Sequence, residues 1–445
     1  MQVVTAAGPI FAGRLGGMRR TLALAGVLGL LAALAVLVVA AASSPTQYVP
    51  AHVGGWPGWL SGPLRGTSLG LGSRSFEALM LGICAAYGLV LVCARALSLR
   101  IVLIAVAIAH ALLLLGPPLI SQDVFGYLAF ARMGALHGLD PYTHVPANIP
   151  SDAVTPFIGW PFQHSPYGPL FTLASYATAP LGVAGGLWAL KACAALASFG
   201  AVVLIARAAG ERGRSPAGAA AFLGLNPVLL VLAVGGAHND ALLLLAAAAA
   251  ILLAGRGRAG PAALSLAAGV GVKVTAGLLL VFLVIGRQGT TARLRVGAEA
   301  LAGLLAVLVL GVAGFGTHAL GFLNAVGEQQ QLVATHSIPA ETARLFSLTG
   351  TPKWWRDLFV AAFVLIVLYA LWRVARGADW VTAAGWSTLA LLLCTAWLLP
   401  WYAIWVLPLA AVSDDRRLRG AALLMSAYAV AIHLSLAGWL LSPAG

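Results

Sequence analysis

The sequence predicts an all-α polytopic membrane protein, and three observations predict it. Hydrophobic residues fill 61% of the 445 positions and charged residues only 9%, with a mean hydropathy of +0.95. Apolar runs of about 20 residues, enough to cross a bilayer as helices, recur along the whole chain. The alternating polarity that marks the strands of an outer-membrane barrel does not occur in the sequence.

The first apolar run, 20–42, follows Arg14, Arg19 and Arg20. It exceeds the roughly 7–15 residues of a signal-peptide core, so it reads as a retained span. Further spans are predicted over 76–97, 101–118, 183–206, 217–235, 240–255, 296–314, 357–375, 381–398, 400–412 and 420–441. Two shorter pieces, 261–272 and 274–286, meet at Lys273. At a rise of about 1.5 Å per residue each reaches only ~18 Å, which predicts a hairpin of half-spans with Lys273 at its tip. The expectation is about 13 transmembrane helices in a single membrane domain covering 1–445. Two long segments interrupt the apolar pattern, 119–182 and 315–356. They are too long for passive connectors and too aromatic for disorder, which predicts short interfacial helices within them.

Charge orients the bundle. With the N-terminus cytoplasmic, the inner segments carry Arg14, Arg19, Arg20, Arg95, Arg100, Arg207, Arg212, Arg214, Arg256, Arg258, Arg287, Arg293, Arg295, Arg373, Arg376, Arg416, Arg417 and Arg419. These are 18 of the 26 basic residues, the bias expected of cytoplasmic loops. The net charge of +13 is therefore topogenic. A nucleic-acid partner would need a continuous basic stripe, and none is expected here. The same orientation puts the C-terminus and both long segments outside. It also places His52, His137, His144, His164, His238, His318, His336, Asp123, Asp140, Asp152, Asp240, Glu328, Glu341 and Asp357 there. The four cysteines, Cys84, Cys93, Cys193 and Cys394, sit in apolar runs without CxxC spacing and read as packing residues. The chain has no Walker A loop, no GxGxxG following a strand and no HExxH, which argues against ATP-driven or nicotinamide chemistry.

Five motifs carry chemical content. Gln122-Asp123 follows the span 101–118, with Tyr127 one turn further along a predicted helix and Arg132 and His137 beyond. A carboxylate at the mouth of a span is costly without a role or a partner, and Asp123 equally suits the cap of an interfacial helix. Gly138-Leu139-Asp140-Pro141-Tyr142 and His164-Ser165-Pro166-Tyr167-Gly168-Pro169 are turn-rich. Their Tyr142 and Tyr167, with Trp160 between, suit either sugar stacking or an interfacial aromatic belt. Gly235-Gly236-Ala237-His238-Asn239-Asp240 is a polar turn between two apolar runs. It reads either as a helix cap or as a polar cluster facing the cavity of Asp123. Lys273 between half-spans needs an anion or must snorkel, and a phosphate is the functional candidate. Leu399-Pro400-Trp401-Tyr402-Ala403-Ile404-Trp405 is a kinked aromatic turn open to both belt and ligand readings.

Together these segments, with Gly271-Val272-Lys273 and His336-Ser337, resemble the GT-C glycosyltransferases. Within them the chain is similar to the polyprenol-phosphate-mannose-dependent α-1,6-mannosyltransferases of mycobacterial-type lipomannan synthesis. The resemblance implies a GT-C fold, a plasma-membrane location and an active site on the extracytoplasmic side. It implies a polyprenyl-phosphate-linked sugar donor and a lipoglycan or glycolipid acceptor. Asp123 would be the catalytic base, and Lys273 and Arg132 would bind the donor phosphate. Gln122, Tyr127, Tyr142, Tyr167, His238, Asn239, Asp240, His336, Trp401 and Tyr402 would line the sugar or acceptor pocket. Many GT-C enzymes carry an acidic pair in the first outer loop, whereas Asp123 has no acidic neighbour, so neither a cofactor nor a metal is expected. A transporter or flippase of lipid-linked sugars is the rival class. It calls for acids near mid-membrane and an inverted repeat, and the sequence offers neither.

Overall fold

In lipid every backbone polar group must be paired within the protein, and runs of Leu, Ala and Val achieve this as helices. The computed structural model describes residues 9–43, 57–70 and 72–434. His52 and the 435–441 end of the last predicted span lie outside the described residues. In chain order the helices are α1 (Pro9–Ser43), α2 (Ser73–Cys93), α3 (Leu99–Leu115), α4 (Asp123–His137), α5 (Pro169–Ser175), α6 (Gly182–Glu211) and α7 (Pro216–Gly224). They continue with α8 (Asp240–Gly255), α9 (Ala259–Val272), α10 (Ala276–Ile285), α11 (Thr290–Phe315), α12 (Gly321–Gln329) and α13 (Ile338–Leu345). The last four are α14 (Lys353–Ala375), α15 (Trp380–Cys394), α16 (Leu407–Val412) and α17 (Arg416–Ala431). No strand occurs among the described residues, as the all-α class requires.

Five stretches among the described residues are long and apolar enough to cross a bilayer: Gly16–Ser43, Arg74–Ala96, Pro169–Glu211, Thr290–His318 and Lys353–Ala375. A sixth is bent by 44°, where α7 meets the π-helical segment Val228–Val234. The other predicted crossings fall mostly on shorter apolar helices of 10–17 residues. The half-span hairpin takes the expected form. At about 1.5 Å per residue, α9 and α10 reach roughly 21 and 15 Å, and Lys273 to Thr275 form the connection between them.

The core runs through α7, α8 and α16, whose side chains are largely buried, with one face each of α3 and α6 packed on it. By contrast α11 and α14 turn leucines such as Leu294 and Leu365 outward, the face a lipid environment tolerates. The segment 119–182 holds α4 and α5, and 315–356 holds α12 and α13, so both carry the short helices predicted for them.

One polar knot fixes the bend after α7. Asn226 Nδ2 donates to Tyr87 Oη at 3.3 Å and to Ser426 Oγ at 3.2 Å, while its Oδ1 accepts the Val228 amide at 2.9 Å. Tyr87 in turn donates to Phe222 O at 2.7 Å. Asn226 is fully buried, so α2, α7 and α17 meet on a group that must be satisfied by protein. Replacing Asn226 by Leu removes three hydrogen bonds, leaves the buried Val228 amide unpaired and is expected to cost about 1–3 kcal/mol. The midpoint of thermal unfolding in detergent should fall accordingly, and an unchanged midpoint would contradict the role of this knot.

Candidate active site

Two strained turns bring the site together. Leu119 N donates to Gly235 O at 2.9 Å, sewing the segment ahead of α4 to the turn ahead of α8. Ile120 has φ +70° and Ala237 has φ +57°. A left-handed backbone is costly for any residue with a Cβ and most of all for a β-branched one. Such strain persists only where the surroundings impose it, and it concentrates at functional sites. These two residues immediately precede the segments carrying Asp123 and His238.

Asp123 is the first residue of α4, and Gln122 occupies the cap position. The capping alternative for Asp123 therefore does not hold, although its charge sits favourably at the positive end of the helix. Its amide donates to Ser121 Oγ at 3.1 Å. One carboxylate oxygen accepts Trp160 Nε1 at 3.2 Å, and the other lies 3.5 Å from His238 Nδ1. The side chain is 12% exposed. Burial raises its pKa from the ordinary 3.8 to about 6, against the opposing pull of the Lys273 charge.

Tyr127 lies one turn along α4, and its hydroxyl is 3.5 Å from both His238 Nδ1 and Asn239 Oδ1. Its ring meets Tyr167 edge-on at 4.9 Å. His238 is fully buried and stacks on Trp401 at 3.8 Å. Burial, reinforced by the Lys273 charge, holds its imidazole pKa well below the usual value, so it is a neutral hydrogen-bonding group.

The second carboxylate, Asp240, opens α8. Its Oδ1 accepts Lys273 Nζ at 2.8 Å and Trp405 Nε1 at 2.6 Å. The Lys273 ammonium also lies over the Tyr402 ring at 4.5 Å and the Trp405 ring at 5.2 Å, a cation–π seat. Close backbone approach brings Tyr167 to this place. Gly168 N donates to Val272 O at 3.0 Å, and a Cβ on Gly168 would lie 2.5 Å from Gly271 O. Only glycine fits there.

Asp123, Lys273, Tyr167, Tyr402 and Trp405 line one cleft, which opens to solvent and holds about 1070 Å³ with the solvent at its mouth included. A smaller apolar groove continues from it between α8, α10 and α15, sharing Thr275, Leu391 and Trp405 with the cleft. Among the described residues no three His, Cys, Asp or Glu side chains converge on a common point.

The remaining sequence-derived candidates sit around this cleft rather than in its wall. His238, Asn239, Asp240, Tyr127 and Trp401 form a buried layer behind it. Gln122 packs against the Gly159 backbone. Tyr142 donates to Tyr167 O at 2.9 Å and packs on Phe315, bracing the loop. His336 pairs with Glu341 at 2.7 Å. Arg132 does not line the cleft. It projects from the other side of α4, donating to Asp152 at 2.7 Å beside His137, also at 2.7 Å from that carboxylate. Burial acts to raise the Asp152 pKa, but these two hydrogen bonds outweigh it and hold the carboxyl at about 2. Arg132 is thus engaged by a structural anion, and the cleft cation is Lys273.

Several contributors take roles that the sequence does not show. Trp160 and Trp405 hold the two carboxylates, yet an indole N–H aimed at an acid 37 or 165 positions away leaves no local trace. Lys191, a cation inside the apolar run of α6, belongs to none of the sequence motifs. It is 2% exposed, 3.5 Å from Pro117 O and 5.7 Å from the Trp188 ring, and it anchors the turn leaving α3 toward Asp123.

Comparison with known proteins gives two family matches in chain order. Residues 110–287 match the family described as alpha-(1->6)-mannopyranosyltransferase, N-terminal domain, and residues 349–437 match the MptB C-terminal domain. Alpha-(1->6)-mannopyranosyltransferase A of Mycobacterium tuberculosis is 31% identical over 330 residues, covering 67% of this chain and 62% of that protein. The Corynebacterium glutamicum protein of the same name is 31% identical over 177 residues, 39% of this chain and 36% of its own length. Alpha-(1->6)-mannopyranosyltransferase B of Corynebacterium glutamicum is 32% identical over 143 residues, 29% of this chain and 23% of its own. The chain thus spans less than two thirds of the length of the relatives it matches.

A buried acid held above its ordinary pKa is a cost to folding. The penalty on Asp123 is absent below pH 3.8, grows as the pH rises and is complete above about 6. At one pH unit per 1.36 kcal/mol it amounts to about 3 kcal/mol at neutral pH. Asp123→Asn is therefore expected to unfold at a higher temperature than the wild type at pH 7.5, with the gain shrinking toward pH 4. A lower midpoint at neutral pH would show that the charge is a structural requirement.

Proposed function

The chain belongs to the alpha-(1->6)-mannopyranosyltransferase family, and from that membership we propose that it transfers mannose from a polyprenyl phosphate to a glycolipid or lipoglycan acceptor, with inversion, on the extracytoplasmic face of the plasma membrane. One observation carries the reading. A carboxylate held near neutrality, Asp123, and an ammonium, Lys273, face the same cleft, and an apolar groove runs on from the cleft into the helix bundle.

Each part has a task in that reaction. The acceptor hydroxyl gives its proton to Asp123 as its oxygen bonds to the anomeric carbon. The bond from that carbon to the phosphate oxygen breaks, and the phosphate leaves with the electron pair. A phosphate is a fair leaving group, so one base suffices. Attack opposite the leaving group turns a β-linked donor into an α-linked product. The negative charge on the departing phosphate grows toward the transition state, where the Lys273 ammonium opposes it at low dielectric. Asp240 and Trp405 keep Lys273 in position, with Tyr402 beneath it. The groove, lined by Leu243, Leu244, Leu278, Leu279 and Leu391, suits an isoprenoid chain. The extracytoplasmic side rests on the arginine distribution alone.

Purified protein with radiolabelled polyprenyl-phosphate-mannose and a short α-1,6-mannoside tests the reading. Asp123→Asn should lower kcat by about 10²–10⁴-fold. Equal turnover would remove Asp123 from the base role. The base must be deprotonated, so wild-type kcat/KM should rise with pH to a plateau with a midpoint near 6. A midpoint near 4 would mean that a different group is titrating. Lys273→Met alone leaves Asp240 buried without its cation, so the double variant Lys273→Met/Asp240→Asn is the informative one. It should fold and yet lose roughly 10²–10³-fold in kcat.

A further inference from the structure

The two ends of the cleft differ in chemistry. The end at Lys273, Tyr402 and Trp405 leads into the apolar groove. The other end is built where the two long segments meet, from Trp160 and Gln163 of the first, Gln329 and Gln330 of the second, and Trp397. We propose that this second end is the subsite for the acceptor, and that it recognises a neutral glycan chain. The proposal rests on the transferase reading above and, apart from Trp160, assigns it residues that the sequence motifs do not include.

Aromatic surface is the first support. Trp160 and Trp397 meet edge-to-face with ring centroids 5.8 Å apart, and Trp160 is 45% exposed. Trp160 Nε1 donates to Asp123, so a ring stacked on this indole lies beside the proposed base. A Trp of an interfacial belt would turn its N–H to the headgroups; this one is turned inward to the carboxylate. The apolar faces of sugar rings pack on such planes.

An unmade hydrogen bond is the second. Trp397 Nε1 is shielded from solvent and has no partner among the described residues. A donor left unpaired beside a cleft calls for an acceptor oxygen from a ligand.

Neutral polarity is the third. The amides of Gln163, Gln329 and Gln330 each offer donors and an acceptor without charge, matching hydroxyls that both give and take. The ionisable side chains nearest to them, His164 and Glu328, bridge the two segments at 3.0 Å. Arg356 is engaged likewise, donating to the Gln330 and Gln331 carbonyls at 3.3 and 3.2 Å and fixing the end of α12. Lys273, at the other end, is the only Lys or Arg among the described residues that line the cleft. A neutral glycan therefore fits this end, with its terminal hydroxyl reaching Asp123.

Two measurements on the full chain in nanodiscs test this. Steady-state kinetics of Gln330→Ala and Trp397→Phe, which touch neither Asp123 nor Lys273, should show acceptor KM raised about tenfold, the effect of one lost hydrogen bond. Donor KM and the pH midpoint should stay within about twofold of wild type, since each reports on the other end of the cleft. Unchanged acceptor KM in both variants, or an equal rise in donor KM, would overturn the subsite while leaving the transferase reading intact. Equilibrium dialysis of a radiolabelled neutral mannotetraose without donor reads binding directly. Saturable binding weakened by Gln330→Ala supports the subsite even if no polyprenyl donor turns over, in which case the transferase reading alone fails. Wild-type binding that neither variant weakens would overturn the subsite by this route.

Discussion

Two carboxylates share one ammonium in a space that largely excludes water, and the site depends on how unequally they share it. Asp240 takes Lys273 at 2.8 Å and the Trp405 N–H at 2.6 Å on a single oxygen. Asp123 is left with an indole at 3.2 Å and a neutral histidine at 3.5 Å. Asp240 is thus the paired counter-ion, and Asp123 feels the lysine only as a more distant charge. Two acids in one pocket acquire different tasks when their surroundings separate them in this way. Had Lys273 sat against Asp123, that carboxylate would be a poor proton acceptor and the phosphate would have to compete with it for the cation.

The backbone has to be bent to hold this arrangement. Ile120 and Ala237 are both left-handed, and both lie within a few residues of the groups they aim. The Leu119–Gly235 hydrogen bond, the Lys191 contact to Pro117 O and the close approach of Gly168 to Gly271 are the restraints around them. Each joins segments more than 70 positions apart. The helix bundle is therefore more than a membrane anchor, because it sets the distance between the tip of the α9–α10 hairpin and the start of α4.

Much of the fold was legible because a bilayer imposes simple rules. Length and hydropathy located the helices, the half-span hairpin and the short helices of both long segments. Asp123, Lys273, Tyr167 and Tyr402 were legible as site candidates because polar groups beside long apolar runs are expensive enough to stand out. Arg132 looked equally significant from its place further along the same helix as Asp123. It projects from a different side of α4, and Asp152 claims it. Spacing along a helix gives the direction of a side chain and says nothing of the partner waiting there.

The sequence by itself determined that this chain is a helical membrane protein with acids and one lysine gathered at the ends of its apolar runs. It did so because hydrophobic length and the cost of charge in lipid are local properties that composition records. Only the tertiary structure decided which acid holds the lysine, that Trp160 and Trp405 are the hydrogen-bond donors to the two carboxylates, and that the cleft ends in an apolar groove on one side and neutral amides on the other. These depend on contacts between residues far apart in the chain, and the geometry of such contacts is set by packing, which no single segment encodes.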